Sequence, residues 1–128
     1  LTSCTAPHAQ PFLECMAFRL QTKTKTFVYS GDAGLSAEME EICKDADLLL
    51  HWCYRLAHET QYPTVTKYSP DAGQIAEMAE RAGGKQLLLT HIRKHMDTDN
   101  HHDEMIAAAR TKFTGPCAIA EDLLVIDL

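Results

Sequence analysis

The 128-residue chain carries 12 basic and 18 acidic side chains, for a formal net charge of −6, and is 45% hydrophobic. That length supports one hydrophobic core but not two, and the acidic balance argues against a nucleic-acid partner, which needs a basic face. No apolar run approaches the roughly 20 residues of a membrane span, and no signal peptide heads the chain.

The opening "LTSCTAPHAQPF" reads as the middle of a longer sequence, so a fragment or a preceding region is expected. "LECMAFRL" (Leu13 to Leu20) and "KTFVYS" (Lys25 to Ser30) have strand character, with "QTKTK" as a polar turn between them. "SAEMEEICKDA" places Met39, Ile42, Cys43 and Ala46 at helical spacing behind a Ser36 N-cap. "DLLLHW" is a continuous apolar run of the kind a buried parallel strand requires. "SPDAGQIAEMAERAGG" is a helix with proline near its start and glycine past its end. "KQLLLTH" predicts another buried strand and "HDEMIAAARTKF" another helix, while "PCAIAED" and "LLVIDL" close the chain as two strands. Strands and helices alternate from residue 25 to 113, which predicts an α/β layered fold with a partly parallel sheet.

The cysteines Cys4, Cys15, Cys43, Cys53 and Cys117 are odd in number and form no C-x-x-C pair. They read as small buried residues of a reducing, cytoplasmic compartment.

Successive strands end in residues with metal chemistry: Asp32 after "TFVYSG", His51 after "DLLL" and His91 after "KQLLLT". In open α/β sheets, ligands collect outside the carboxyl ends of the strands. Each residue alone has a plainer reading. Asp32 fits a turn or a helix cap, His91 a hydrogen-bonded residue at the core edge, and His8 a loop histidine. His101 and His102 read as a solvated helix start, because adjacent helical residues point about 100° apart and rarely converge on one ion. His58 and His95 carry no stronger signal, and Met39, Met78, Met96 and Met105 read as core filler.

Taken in order, "PHAQPFLECMAFRL", "VYSGDAG", "DLLLH" and "LLLTHI" resemble the C-terminal half of the metallo-β-lactamase fold, closest to its RNase Z-like and arylsulfatase-like branch. The resemblance runs through residues 1–128. It implies half of a four-layer αββα sandwich, with a mixed sheet and helices on one face. It also implies two Zn2+ ions in the complete site, with Mn2+ or Fe2+ as alternatives. By resemblance His8, Asp32 and His91 are metal ligands, Asp32 being the bridging carboxylate of the "SGD" motif. Metals roughly 3.5 to 4 Å apart can then share a hydroxide nucleophile. The implied activity is attack of a metal-bound hydroxide on a small-molecule ester, sulfate ester, phosphodiester or lactone. His51, Trp52, Tyr54 and Tyr68 are candidates to line the substrate pocket.

Two departures from the family pattern bear on function. No H-x-H-x-D-H motif occurs in the sequence, so the chain alone should be inactive and its sheet should expose an apolar face. That face calls for a homo-oligomer or for pairing with the missing N-terminal half. The "HEAT" and "HST" motifs of RNase Z-type enzymes are here "HWCY" and "YSPD", which puts Trp52 and Tyr68 where a glutamate and a histidine serve proton transfer. Indole only donates and phenol titrates far from neutrality, which counts against tRNA 3′-end processing. A non-catalytic binding or structural module retaining the fold is the alternative from another functional class.

Overall fold

Apolar patterning and turn chemistry set the elements of the computed structural model, which describes residues 1–8, 13, 15–59, 63 and 68–128. Part of the run Leu13 to Leu20, at residue 14, lies outside the described residues. The strands are β1 (Thr2–Ala6), β2 (Cys15–Gln21), β3 (Thr26–Tyr29), β4 (Leu48–Trp52), β5 (Leu87–Thr90) and β6 (Cys117–Ile119). The helices are α1 (Ala37–Ile42), α2 (Ala72–Arg81) and α3 (Asp99–Arg110). One 6-stranded sheet runs in the order β1-β2-β3-β4-β5-β6. β1, β2 and β3 pair antiparallel, and β3 to β6 pair parallel, with α1, α2 and α3 lying in the successive crossovers among the described residues.

Side chains alternate across the sheet, and the two faces differ sharply. Ala17, Val28, Leu49, Leu87 and Leu89 are all at most 1% exposed and share one core with Met39, Ile75, Met78 and Met105 from the helices. On the opposite face the register aligns Phe18, Tyr29, Leu50, Leu88 and Ala118 across five strands. There Met16, Phe18, Leu20 and Tyr29 are 39–50% exposed. The expected one-sided helical cover is therefore what the chain adopts.

Capping sets where the helices begin. Ser36 caps α1 by accepting from Met39 N at 3.1 Å. Asp71 caps α2 in a reciprocal box with Gln74. Thr98 caps α3, so that helix starts earlier than the expected residue 102 and takes His101 and His102 into its first turn.

Two strand expectations need correction. "LLVIDL" is not a strand: a turn closed by Leu124 N donating to Glu121 O (3.1 Å) takes the chain off the sheet. Leu123 and Val125 are then 97% and 83% exposed, since an apolar run without a ladder partner gains nothing from extension. The sixth strand is instead the amino-terminal Thr2–Ala6, whose small polar residues gave no apolar contrast. Among the described residues no helix is long and apolar enough to cross a membrane.

Candidate metal centre

Ser30 continues β3 by one rung, its N–H donating to Leu50 O at 3.0 Å. The chain then reverses: Ala33 N donates back to Ser30 O at 3.2 Å, and Gly31 sits at φ +55. A Cβ on Gly31 would lie 2.8 Å from Met16 O on β2, so glycine is required by both conformation and space. This turn lifts Asp32 to the carboxyl edge of the sheet. Asp32 is not a helix cap, because Ser36 fills that role.

β5 delivers His91 to the same edge. His91 adopts φ +56, a left-handed conformation uncommon for a side chain larger than glycine. Its Nδ1 lies 2.7 Å from Asp32 Oδ1, with the two side chains 61% and 40% exposed. His8 arrives from β1. Gly34 N donates to Pro7 O at 2.6 Å, and a Cβ on Gly34 would meet both Pro7 O (2.9 Å) and Tyr68 O (2.6 Å). Three backbone segments therefore close around that glycine.

Trp52 lies beneath these groups. It is 2% exposed, its backbone N–H donates to Ser30 Oγ (3.1 Å), and its Nε1–H donates to Ala33 O (2.5 Å). The His8 ring stands edge-on to the indole at 5.0 Å, and the His91 ring lies 6.1 Å away. Asp32 and His91 are thus in direct contact, and His8 and His91 flank one indole.

Carboxylate oxygen and imidazole nitrogen are zinc-type donors, so the pair is chemically suited to a metal. It is also incomplete. Among the described residues no group of three or more His, Cys, Asp or Glu side chains is placed to hold an ion. The residues present fit part of a metal shell.

The candidate pocket residues separate. His51 is fully buried, its Nδ1 lying 2.8 Å from Trp52 O while Nε2 has no hydrogen-bond partner among the described residues. Burial lowers its pKa to about 4. Trp52 forms a floor, whereas Tyr54 and Tyr68 are half-buried. Tyr54 packs on Trp52 at 5.2 Å and carries the Arg93 guanidinium 4.6 Å above its ring.

A cluster missed by sequence reasoning lies next to Tyr54. Glu59 accepts from Arg93 Nη2 at 2.7 Å, from Leu56 N at 2.8 Å, and contacts His95 Nε2 at 2.7 Å. Although its burial opposes ionisation, these partners hold the Glu59 carboxyl below its ordinary pKa. No local motif announces residues so far apart in sequence. A cavity of about 510 Å³ opens beside His91, lined also by Thr90, Asp97, His102, Ile119 and Glu121. Within it His102 Nε2 lies 3.0 Å from Asp97 Oδ1.

The chain is similar to known proteins in sequence and in fold. The family profile described as a beta-lactamase superfamily domain matches residues 1–92. A Ribonuclease Z of Myxococcus xanthus is 32% identical over 104 residues, covering 81% of this chain and 33% of that protein. The probable metallo-hydrolase YhfI of Bacillus subtilis is 34% identical over 107 residues, covering 84% and 41%. The crystal structure of YhfI, a metallo-beta-lactamase fold protein, superposes with a TM-score of 0.83 at 26% identity, over 98% of this chain and 48% of that one. The chain thus spans less than half the length of these relatives.

Proposed function

The chain belongs to the metallo-β-lactamase superfamily, and on that premise we propose that it supplies part of the metal centre of a metal-dependent hydrolase. The substrate class is a small ester, sulfate ester, phosphodiester or lactone. The observation that carries this reading is the 2.7 Å contact of His91 with Asp32 at the carboxyl edge of the sheet.

Asp32 and His91 would hold the metal, with His8 as a third donor. Zinc bound there, or manganese or iron in its place, supplies Lewis acidity and lowers the pKa of water. Without metal the Asp32 carboxylate meets the His91 ring at Nδ1, a contact that a shared ion would replace, and the exposure of both side chains leaves them open to solvent and substrate. Further ligands would come from a polypeptide carrying H-x-H-x-D-H, and the sheet face bearing Phe18 and Tyr29 is the surface we assign to that half. A reducing, cytoplasmic setting is supported by the five free cysteines.

A second reading, tRNA 3′ processing, is favoured by the Ribonuclease Z names among the relatives. Against it, Trp52 is buried and its only side-chain donor is spent on Ala33 O. The indole therefore offers a substrate neither a base nor an exposed donor. The discriminating experiment assays the protein joined to an H-x-H-x-D-H half on aryl esters, aryl sulfates, phosphodiesters, lactones and precursor tRNA. Small-molecule turnover abolished by Asp32→Ala is expected. Efficient, site-specific removal of a tRNA 3′ trailer would replace the first reading by the second.

A further inference from the structure

The indole of Trp52 makes contacts that a core residue has no need of. The residue's backbone N–H and its one indole N–H are spent on the two ends of one turn: the backbone N–H on Ser30 Oγ (3.1 Å) and Nε1–H on Ala33 O (2.5 Å). Asp32 lies between those two attachment points. The Ser30 hydroxyl in turn donates to Gly31 O at 2.7 Å, so the turn is tied to β4 through the buried Ser30 side chain. The ring meanwhile has His8 at 5.0 Å and His91 at 6.1 Å. His8 lies two residues beyond β1 and His91 one residue beyond β5, where the sheet ladder no longer orients them.

We infer that Trp52 is the positioning residue of this site: it fixes the turn that presents Asp32 and serves as the plate against which His8 and His91 are oriented. It acts through those side chains and touches no reacting atom. The inference rests on the reading of Asp32 and His91 as the site. It adds the element that brings residues of β1, β3 and β5 to one place from the strand between the last two. A buried hydrogen-bonded aromatic suits that task, because its rotamer is locked by packing and both donors are satisfied.

The test uses the chain itself and needs no activity. Long-range 15N–1H spectra report which ring nitrogen of each histidine carries the proton in the neutral form. They are recorded at a pH about two units above the ordinary imidazole value and assigned by single His→Gln variants. In the wild type, Asp32 should hold His91 in the Nδ1–H tautomer. Trp52→Phe keeps a ring but removes the bond to Ala33 O, and should shift His91 toward the ordinary tautomer mixture while His58 and His95 stay unchanged. Trp52→Leu, which also removes the plate, should additionally move the His8 ring signals. If Trp52→Phe does not fold by circular dichroism, Ser30→Ala cuts the other tether and should produce the same His91 shift.

An unchanged His91 tautomer in the folded variants would overturn the positioning role. Zinc added to the wild type in the same spectra separates this from the metal reading. Should zinc leave His8 and His91 unmoved, the metal assignment fails whatever the Trp52 variants show.

Discussion

His91 Nδ1 rests 2.7 Å from Asp32 Oδ1 although the two residues are 59 positions apart in sequence. The contact follows from topology: β3 and β5 flank β4 in parallel register, with Tyr29, Leu50 and Leu88 side by side, so residues just past each strand end share one edge. Both side chains are substantially exposed. Exposed polar contacts contribute about 0–1 kcal/mol to stability even when both partners are charged, so this contact adds little to the fold.

That split between stability and function is measurable. Asp32→Ala should change unfolding free energy by less than about 1 kcal/mol while abolishing hydrolysis by the protein completed with its H-x-H-x-D-H half. Urea denaturation and turnover on the same preparation check both. Near-normal turnover would remove Asp32 from the centre.

His51 predicts a pH signature. Burial holds its folded-state pKa near 4, against an ordinary 6.5. Between those values the unfolded chain binds a proton that the folded chain refuses. Stability should therefore be fully present above the ordinary pKa, fall as the pH drops through the window, and level off below about 4. The gap corresponds to about 3 kcal/mol at 1.36 kcal/mol per pKa unit. His51→Gln should flatten this dependence in urea titrations between the two pH limits. An unchanged slope would contradict it.

Arg55 and Asp71 form a buried ion pair, Nη2 to Oδ2 at 3.1 Å, with side chains 6% and 12% exposed. Arg55 also donates to Ser69 O (2.8 Å) and Gln74 Oε1 (3.0 Å), pinning the start of α2 to the segment after β4. Arg55→Ala leaves a buried carboxylate unpaired and should cost about 3–5 kcal/mol. Asp71→Ala should cost more than Asp71→Asn by about 1 kcal/mol, the worth of the lost cap. Denaturant midpoints decide, and a loss under about 1 kcal/mol for Arg55→Ala would mean the pair is dispensable.

The exposed β2–β3 part of the sheet face away from the helices predicts association: Met16, Phe18, Leu20 and Tyr29 are 39–50% exposed there, while Leu48 and Leu88 on the same face are buried. Several hundred Å² of apolar surface at about 25 cal/mol per Å² favours burial by several kcal/mol before entropy costs. At micromolar concentration the isolated chain should sediment as a dimer or larger species, or precipitate. Leu20→Lys with Tyr29→Lys should shift it toward monomer. A stable, sharply folding wild-type monomer would contradict the assignment of this face to a partner.

Much of this was legible in the sequence because strand ends are. A continuous apolar run followed by a polar residue located Asp32 and His91, and the structure puts them in contact. Period alone could not say which side of the edge a terminal aromatic takes. Trp52, a candidate to line the pocket, is 2% exposed, its indole N–H donating to a carbonyl in the turn opposite. Thr2–Ala6 escaped notice because pairing with β2, not composition, makes it a strand. "LLVIDL" misled for the converse reason. The Glu59, Arg93 and His95 cluster joins two loops with no shared motif, so only the fold reveals it.

The most direct test of the central claim is a zinc titration of the isolated chain, followed by histidine NMR and by metal content after dialysis against a mild chelator. The account predicts weak binding with His91 and His8 responding, loss of that response in Asp32→Ala, and no stoichiometric zinc retained, because two or three donors leave the shell incomplete. Retention of two zinc ions per chain, or a response confined to His58, His95, His101 and His102, would contradict it.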